Sequence, residues 1–288
     1  MNRDRTSLDR PAVSIVVASK NAASTLQRCI DSITRQTYPC WEMIVIDGDS
    51  TDETVEIIKA NSKNIAYWES RPDRGIAHAW NKALKQLTGD WALFLGADDV
   101  LEDRFVLENV ASLLKQASRH GKRVVYGKIV LTGADGRAMS VMGQPWDIIK
   151  KDFFMEKDLI PHPACFHHTS VFHDYGPFDE DFHIAMDYEF LIRVLKTEEP
   201  LFMDMIVSKM SFGGLSHHPS TLLKMHRESH AALLKHGLRS RNVRFRINQV
   251  AYHILSAVMA TAGEKAARWY LDVLRIISGK PRTWTIND

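Results

Sequence analysis

Two adjacent carboxylates, Asp98 and Asp99, come directly after the apolar run WALFL at residues 91–95. Hard divalent cations such as Mg²⁺ and Mn²⁺ are commonly bound by one or two protein carboxylates together with substrate phosphates and water. An acidic pair at the end of a strand could therefore hold a metal beside a nucleotide diphosphate. The alternative is that the pair caps the helix expected to begin near Asp103.

A third carboxylate, Asp187, precedes apolar residues at helical spacing, among them Phe190, Leu191 and Val194. This spacing predicts a helix over residues 186–196 with Asp187 at its start, on the face that points inward. A carboxylate in that position could remove a proton from a substrate hydroxyl. The alternative is a plain helix N-cap.

The segments that would position these carboxylates alternate between strands and helices. Apolar runs of strand length occupy residues 13–18, 43–46, 65–69 and 91–96, and apolar residues at helical spacing mark helices at 24–36, 50–59 and 76–87. This alternation is typical of βαβ units. It predicts an α/β fold in which helices cover both faces of a mainly parallel sheet.

Ligands bind such sheets in the loops at the carboxyl ends of the strands. Those loops span residues 18–21, 47–52, 70–75 and 96–99, and three of the four carry carboxylates. Clustered carboxylates repel each other unless a cation or hydrogen-bond donors offset their charge. The loops therefore support the prediction of a metal site, although Asp47 and the following glycine could also form a simple turn.

The second half of the chain has a less regular pattern. We expect a helix over 103–118, a strand over 124–131, a turn at 133–137, an extended segment at 202–212 and a helix over 220–236. Between the turn and residue 168 the alternation weakens, so this stretch is predicted to be irregular.

Composition limits the protein class. With 288 residues, 45% hydrophobic and 25% charged, the chain is expected to be an ordinary soluble globular protein with either one large α/β domain or a domain of about 200 residues and an appendage. Its three cysteines have no CxxC spacing, which argues against a disulfide framework or a zinc ribbon and favours a reducing compartment. Residues 1–11 are polar, resemble no secretory signal and are expected to form a flexible arm.

The C-terminal region is basic and amphipathic. Residues 224–282 carry twelve Lys and Arg residues against three acids, so this region has a formal charge of +9 in a chain whose total is +2. Two apolar helical faces on either side of Gly263 predict a helical hairpin within a tail at 238–288. The tail could bind an anionic membrane surface or simply pack on the domain. Nucleic acid binding is not indicated, because no recognition module accompanies the charge.

Five segments of the chain together resemble a known family. They are VSIVVASKN, VIDGDSTDETVEII, SRPDRGIAHAWNKALKQLTGDWALFLGADD, PHPACFHHTSVFHDYGPFDEDFHIAMDYEFLIR and MSFGGLSHHPSTLLKMHRE, in this order. The sequence resembles the family 2 glycosyltransferases of the GT-A fold, especially bacterial enzymes that assemble surface polysaccharides. The resemblance implies a GT-A domain at 12–237, with a nucleotide-binding half at 12–100 and an acceptor-side half at 101–237.

The resemblance also implies roles for individual residues. It implies that Ala18, Asn21 and Asp47 line the base and ribose pocket, that Asp73 and Arg74 lie over the nucleotide, and that Asn81 braces the adjacent helix. It also implies that Asp98 and Asp99 bind Mn²⁺ or Mg²⁺ and that His217 contacts the diphosphate within a loop at 211–217. Asp187 is implied to be the general base. His162 matches a recurring position near the acceptor, although a structural histidine is equally consistent with the sequence, and Arg74 could be an ordinary exposed arginine. The family's metal motif is usually Asp-x-Asp, and its first position here is Gly96.

The expected activity is inverting sugar transfer from a nucleotide-diphosphate sugar, and the expected donor is a UDP-sugar. The expected acceptor is a glycan or a lipid-diphosphate-linked saccharide, and the expected location is the cytoplasm or the inner face of the plasma membrane. Two alternatives stay open at the level of sequence. A nucleotidyltransferase would need a triphosphate loop, and no GxxxxGK occurs. A non-catalytic partner in glycan assembly would explain Gly96 but not Asp187.

Overall fold

The computed structural model describes residues 11–133, 136–156, 158–212, 218–238, 243–277, 279 and 282–285. The strands are β1 (Val13–Ser19), β2 (Trp41–Asp47), β3 (Tyr67–Ser70), β4 (Trp91–Gly96), β5 (Val100–Leu101), β6 (Val124–Thr132), β7 (Ala138–Met142), β8 (Cys165–His168) and β9 (Leu201–Ser211). The helices are α1 (Leu26–Thr34), α2 (Thr54–Ala60), α3 (Ile76–Leu84), α4 (Val106–Arg119), α5 (Trp146–Phe153), α6 (Ser170–Tyr175), α7 (Met186–Leu195), α8 (Leu222–Lys235) and α9 (Val243–Ile277). The predicted α/β fold is confirmed.

One sheet runs through the molecule in the order β3-β2-β1-β4-β8-β6-β9-β5, and β7 pairs with β6. The first four strands in this order are parallel. Ala18 lies beside both Ile46 and Gly96, and Ser19 lies beside Asp47. The carboxyl ends of β1, β2 and β4 therefore meet at one edge of the sheet, where their loops converge.

The other half of the sheet is mixed, and it corrects one prediction. β8 is antiparallel to β4 and β6, whereas β9 is parallel to β6. The stretch up to residue 168, predicted to be irregular, contains β7, α5 and β8. β8 was not predicted because two of its four residues are histidines, which interrupt the apolar pattern of a buried strand. His167 is fully buried here, although histidine is usually at least partly exposed. In β7 every residue is exposed or only half-buried, so alternation is weak.

Helices cover the sheet on both faces. Because successive side chains of a strand point to opposite faces, Ile15 and Val17 join one core cluster and Val16 joins the other. The first cluster includes residues of α1 and α4, and the second includes residues of α3 and α7. Within the described part of the chain, no helix has the length and apolar character needed to cross a membrane.

The last helix, α9, is bent sharply at Gly263, whose φ of 81° and ψ of −179° are not helical. The Tyr270 hydroxyl donates a hydrogen bond to the Ala251 carbonyl at 3.1 Å. In a straight helix these residues would lie about 28 Å apart, so the two segments of α9 fold back on each other as a hairpin. Leu255 and Leu271 pack with Leu222 of α8 in a small core between them.

Candidate active site

The loops after β1, β2 and β3 are joined through Asp47. Its Oδ1 accepts hydrogen bonds from the hydroxyls of Ser19 (2.9 Å) and Ser50 (2.5 Å), and its Oδ2 accepts them from the Ser50 N–H (2.9 Å) and the Ser70 hydroxyl (2.7 Å). The Asp47 side chain is fully buried. In this arrangement the carboxylate shapes the loops that surround it, and its contact with a base or ribose stays a prediction.

Asn21 joins the same loops from the side of β1. It has a left-handed backbone with φ of 49°, which asparagine tolerates better than most residues. Its Oδ1 accepts the Thr51 N–H at 2.9 Å, and its own N–H donates to the Ser50 hydroxyl at 2.8 Å. Asn21 and the half-buried Ala18 thus lie at the edge of the sheet where the resemblance places the base and ribose.

Asp73 lies against the loop after β2. Its Oδ1 accepts the Gly75 N–H at 3.0 Å, and its Oδ2 is only 2.7 Å from the position that a Cβ of Gly48 would take. A side chain at position 48 would therefore displace Asp73. Gly48 of the DGDS segment therefore allows the Asp73 carboxylate to approach the backbone of this loop closely.

Arg74 and Asn81 both bind Glu180, a residue that the sequence did not single out. The Arg74 Nε donates to the Glu180 Oε2 at 3.1 Å, although the Arg74 side chain is 70% exposed. The Asn81 Nδ2 donates to the Glu180 Oε1 at 3.1 Å and to the Phe178 carbonyl at 2.9 Å. Asn81 thereby holds α3 against residues 178–180. The Nε and one terminal nitrogen of Arg74 thus face Glu180 rather than a ligand.

The acidic pair after β4 fits a divalent cation. Asp99 is 4% exposed; its Oδ2 accepts the Gly96 N–H at 2.8 Å, and its buried Oδ1 has no hydrogen-bond partner in the described structure. Burial, assisted by the neighbouring charge of Asp98, raises the pKa of Asp99 to about 8. A buried carboxylate oxygen without a partner is unfavourable, and a cation shared with Asp98 would offset this penalty.

The rest of the geometry agrees with a metal bound partly by substrate. Among the residues that the structure describes, no three His, Cys, Asp or Glu side chains form a metal-binding group. Two carboxylates completed by substrate phosphates and water are a usual set for Mg²⁺ or Mn²⁺. The helix-capping alternative is wrong, since α4 begins at Val106 and Asp103 accepts the Phe105 N–H at 2.7 Å.

The lack of a side chain at Gly96 leaves room for the Asp98 and Asp99 carboxylates. A Cβ at this position would lie 2.8 Å from the Asp98 Oδ1 and 3.2 Å from the Asp99 Oδ2. A side chain at position 96 would therefore displace the Asp98 and Asp99 carboxylates from these positions. Glycine in place of the first aspartate of Asp-x-Asp allows this arrangement of the pair.

Asp187 lies in the first turn of α7, and its side chain is half-buried. Its Oδ1 accepts the Tyr188 N–H at 2.8 Å, and burial raises its pKa to about 6. A carboxyl group with a pKa near the working pH is well suited to act as a general base. The N-cap of α7 is Ala185, so the simple N-cap alternative for Asp187 is wrong.

Glu228 of α8 supports the segment before Asp187, a role that the sequence pattern around Glu228 does not indicate. Its Oε2 accepts three backbone N–H groups, from His183 at 2.9 Å, Ile184 at 2.7 Å and Ala185 at 3.0 Å. These N–H groups lie at the start of α7, where an anion is favoured. Glu228 thus provides the cap and leaves Asp187 directed at the cavity beside it.

A buried ion cluster fixes the rest of α7 to α8. Glu189 is fully buried and contacts Arg193 at 2.7 Å, Lys235 at 2.8 Å and His236 at 2.7 Å. Burial alone would raise the pKa of Glu189, but hydrogen bonds from Lys235 and Arg193 bring it below its usual value. The orientation of α7 therefore depends on residues at the end of α8.

The acidic pair and Asp187 line one cavity of about 180 Å³. Trp80, Phe94 and His162 form part of its apolar wall, with the His162 ring 4.8 Å from that of Trp80. Burial, together with the nearby His167, lowers the pKa of His162 well below its usual value, so this ring is neutral.

The other expected ligand residues lie elsewhere. Ala18, Asn21, Asp47, Asp73, Arg74 and Asn81 lie around the loops of the sheet edge, outside the lining of this cavity. The predicted diphosphate contact, His217, lies outside the described residues, as do positions 213–216 of its loop. Residues 1–10 of the expected N-terminal arm also lie outside them.

Comparisons with known proteins assign the chain to a family. A family model described as "Glycosyl transferase family 2" matches residues 14–175. A PGL/p-HBAD biosynthesis glycosyltransferase of Mycobacterium bovis (strain BCG / Pasteur 1173P2) is 32% identical over 212 residues, which cover 72% of this chain and 79% of the relative. The chain belongs to glycosyltransferase family 2. It is an enzyme of the glycosyltransferase class, as the resemblance implied.

Solved structures show that this family 2 glycosyltransferase has the GT-A fold. The S. aureus TarS 1–349 fragment in complex with UDP-GlcNAc is 18% identical with a TM-score of 0.59, and the alignment covers 92% of this chain and 80% of the fragment. This chain spans 48% of a longer TarS chain. The mannosyltransferase PcManGT from Pyrobaculum calidifontis, in complex with GDP-Man and Mn²⁺, is 17% identical with a TM-score of 0.61 and coverages of 94% and 76%.

Proposed function

We propose that this protein is an inverting, metal-dependent glycosyltransferase that transfers a sugar from a nucleotide-diphosphate sugar to an acceptor hydroxyl. The observation that carries the proposal is that Asp98, Asp99 and Asp187 line the same cavity. A pair of carboxylates suited to a cation and a carboxylate suited to a proton are the two groups that such a transfer needs.

Asp187 acts as the general base. It takes the proton of the acceptor hydroxyl while the hydroxyl oxygen forms a bond to the anomeric carbon, and the bond from that carbon to the diphosphate oxygen breaks with its electron pair. Asp98 and Asp99 would hold a divalent cation, which would stabilise the charge on the leaving diphosphate. The acidic pair thus acts on the leaving diphosphate, and Asp187 acts on the attacking acceptor hydroxyl.

A single displacement inverts the anomeric centre. A double displacement with retention requires a second carboxylate as the nucleophile. Among the described residues around Asp187, the neighbouring cavity also contains Glu156, but its Oε1 lies 3.0 Å from the His226 Nδ1. This pairing supports inversion through Asp187.

The proposed donor is a UDP-sugar. The TarS fragment was solved with UDP-GlcNAc, which supports UDP, whereas PcManGT was solved with GDP-Man and Mn²⁺, which supports the metal. A non-catalytic role is disfavoured, because a non-catalytic partner has no need for a half-buried carboxyl group with a pKa of about 6 at the start of α7. The family assignment disfavours a nucleotidyltransferase.

Calorimetry tests this proposal directly. UDP, GDP and CDP are titrated into the protein with Mn²⁺ or with EDTA, and the same titrations are made on Asp98→Ala. The control is Asp204→Ala, whose side chain is 78% exposed. We expect Mn²⁺-dependent binding of UDP that Asp98→Ala abolishes and the control retains. Equal binding with Mn²⁺ and EDTA would reject the metal role, and no binding of any nucleotide would reject the proposed function.

The proposed acceptor is a glycan or a lipid-diphosphate-linked saccharide, and we place the protein in the cytoplasm, at an anionic membrane surface. Support comes from the outer face of the hairpin, where Ile247, Val250 and Ile254 are 61%, 61% and 46% exposed. These residues share one helical face, and Trp269 on the second segment is 63% exposed. Exposed apolar residues in a basic tail suit the interface of anionic lipid.

A further inference from the structure

A second cavity, of about 310 Å³, adjoins the one that contains the acidic pair. The two cavities share five lining residues, namely His162, Pro163, Ile184, Asp187 and Met210. Asp98 and Asp99 line only the first. Asp187 therefore lies where a molecule in the second cavity meets the donor bound in the first.

The wall of the second cavity is mainly apolar. It includes Ile129, Met142, Leu159, Ile160, Leu191 and Leu222. Eight of the twenty described residues that line it have polar side chains, and some of these are already engaged: Glu156 binds His226 at 3.0 Å, and the Tyr188 hydroxyl donates to the Phe153 carbonyl at 2.5 Å. A sugar bound against the apolar part of this wall would bury hydroxyl groups that lack hydrogen-bond partners, which is unfavourable.

Helix α8 and the C-terminal hairpin form part of this wall. Met225 and Ser229 come from α8, and Asn248 and Tyr252 come from the first segment of α9. The Tyr252 ring packs 5.3 Å from the ring of His226. The hairpin, which was predicted to be an appendage, therefore forms part of the wall of a cavity that Asp187 also lines.

We propose that the second cavity binds the acceptor through an apolar group, an aryl ring or a short alkyl chain next to the reacting hydroxyl. Its volume lies at the lower end of the roughly 300–1,000 Å³ that is typical of small-molecule sites. The polar residues Ser229, Asn248 and Tyr252 orient the remainder of the acceptor. This inference rests on the proposed function, because the cavity is assigned to the acceptor through Asp187.

The test uses matched phenyl and methyl β-glycosides of glucose, galactose, mannose, rhamnose and N-acetylglucosamine. Each is titrated by calorimetry into the full chain, with and without UDP and Mn²⁺, and assayed as an acceptor. We expect at least one phenyl glycoside to bind at least tenfold more tightly than its methyl partner. Equal affinity within every pair, or no binding of any glycoside, would overturn the inference.

Two variants assign the binding to this cavity. Leu159→Asn places a polar group in a wall position that is 43% exposed, and Asn248→Trp fills the cavity from the hairpin. We expect both to weaken phenyl glycoside binding at least fivefold. Ile148→Asn, at a position that is 61% exposed on α5 and does not line the cavity, is the matched control.

The nucleotide titrations separate the two proposals. If both variants bind UDP and Mn²⁺ like the wild type, any loss belongs to the acceptor site. If the phenyl preference survives in Leu159→Asn and Asn248→Trp, the cavity assignment is wrong while the donor site stands. If UDP fails to bind the wild type, the proposed function fails, whatever the glycosides do.

Discussion

Replacing Glu228 should impair transfer without affecting nucleotide binding. Its side chain is 12% exposed, and one oxygen accepts the N–H groups of His183, Ile184 and Ala185. A hydrogen bond to a charged group contributes about 1.5–3 kcal/mol. Since His183 is exposed and its N–H can regain water, we expect Glu228→Ala to lower the free energy of unfolding by about 3 kcal/mol.

Glu228→Gln keeps a neutral acceptor in the same position. Neutral hydrogen bonds contribute about 0.5–1.5 kcal/mol each, so the loss for this variant should be about 1 kcal/mol. Thermal unfolding measures the difference, because about 2–4 °C of melting temperature corresponds to 1 kcal/mol in a domain of this size. Glu264→Ala is the control, since it removes a 40% exposed carboxylate that contacts Arg268 and His218, far from the start of α7 in sequence.

The effect on catalysis follows from the position of Asp187. The loop that Glu228 holds leads directly into the turn that carries this carboxylate. A displacement of about 1 Å at a reacting group can reduce the rate by about 100-fold, so we expect a fall of this order in kcat for Glu228→Ala. The dissociation constant of UDP with Mn²⁺ should change less than twofold. Unchanged kcat in a folded Glu228→Ala variant would refute the positioning role.

Three further predictions concern pH and lipid binding. Because the raised pKa of Asp187 in the free protein is about 6, kcat/KM should fall as pH decreases through about 6, and Asp187→Asn should lose transfer at every pH while it retains UDP binding. Because the pKa of Asp99 is raised to about 8, the free energy of unfolding without metal should decline as pH rises from about 4 to 8. For the same reason, Mn²⁺ binding below pH 8 should release a proton from Asp99. Calorimetry in buffers of different ionisation enthalpy would detect this proton release. Val250→Ser with Ile254→Ser should reduce sedimentation with phosphatidylglycerol vesicles about tenfold, whereas Ile148→Ser should have no effect; equal sedimentation with neutral phosphatidylcholine vesicles would contradict the electrostatic part.

The nucleotide half was predictable because its signals are local. Each of β1, β2 and β4 is an apolar run of strand length, and each is followed by residues that favour a loop. Parallel pairing then brings the loops to one edge, so Asp98 and Asp99 could be placed there from the sequence. The position of Asp187 at the start of α7 followed from the periodicity of that helix, which also depends on neighbouring residues alone, and its role as the base followed from the family resemblance.

The remaining features depend on contacts between distant segments. Glu228 lies more than 40 residues after the loop it holds, and nothing in its own helix distinguishes it from a surface glutamate. Asp47 was expected at the ligand, but serines of three loops surround it. The second cavity needs α8 and α9 to pack beside α7, so Asn248 and Tyr252 could not have been assigned to it from the sequence.

The ion cluster at Glu189 affects how the chain matures during synthesis. Domains generally begin to fold from the N-terminus as the chain emerges, and the pairings among β1 to β4 involve residues no later than 96. Burying Glu189 without its partners is strongly unfavourable, and two of those partners, Lys235 and His236, are made at the end of α8. We therefore expect the parallel sheet to assemble early, and the helix that carries Asp187 to reach its final packing after residue 236 has left the ribosome, although Arg193 of the same helix can pair with Glu189 before then.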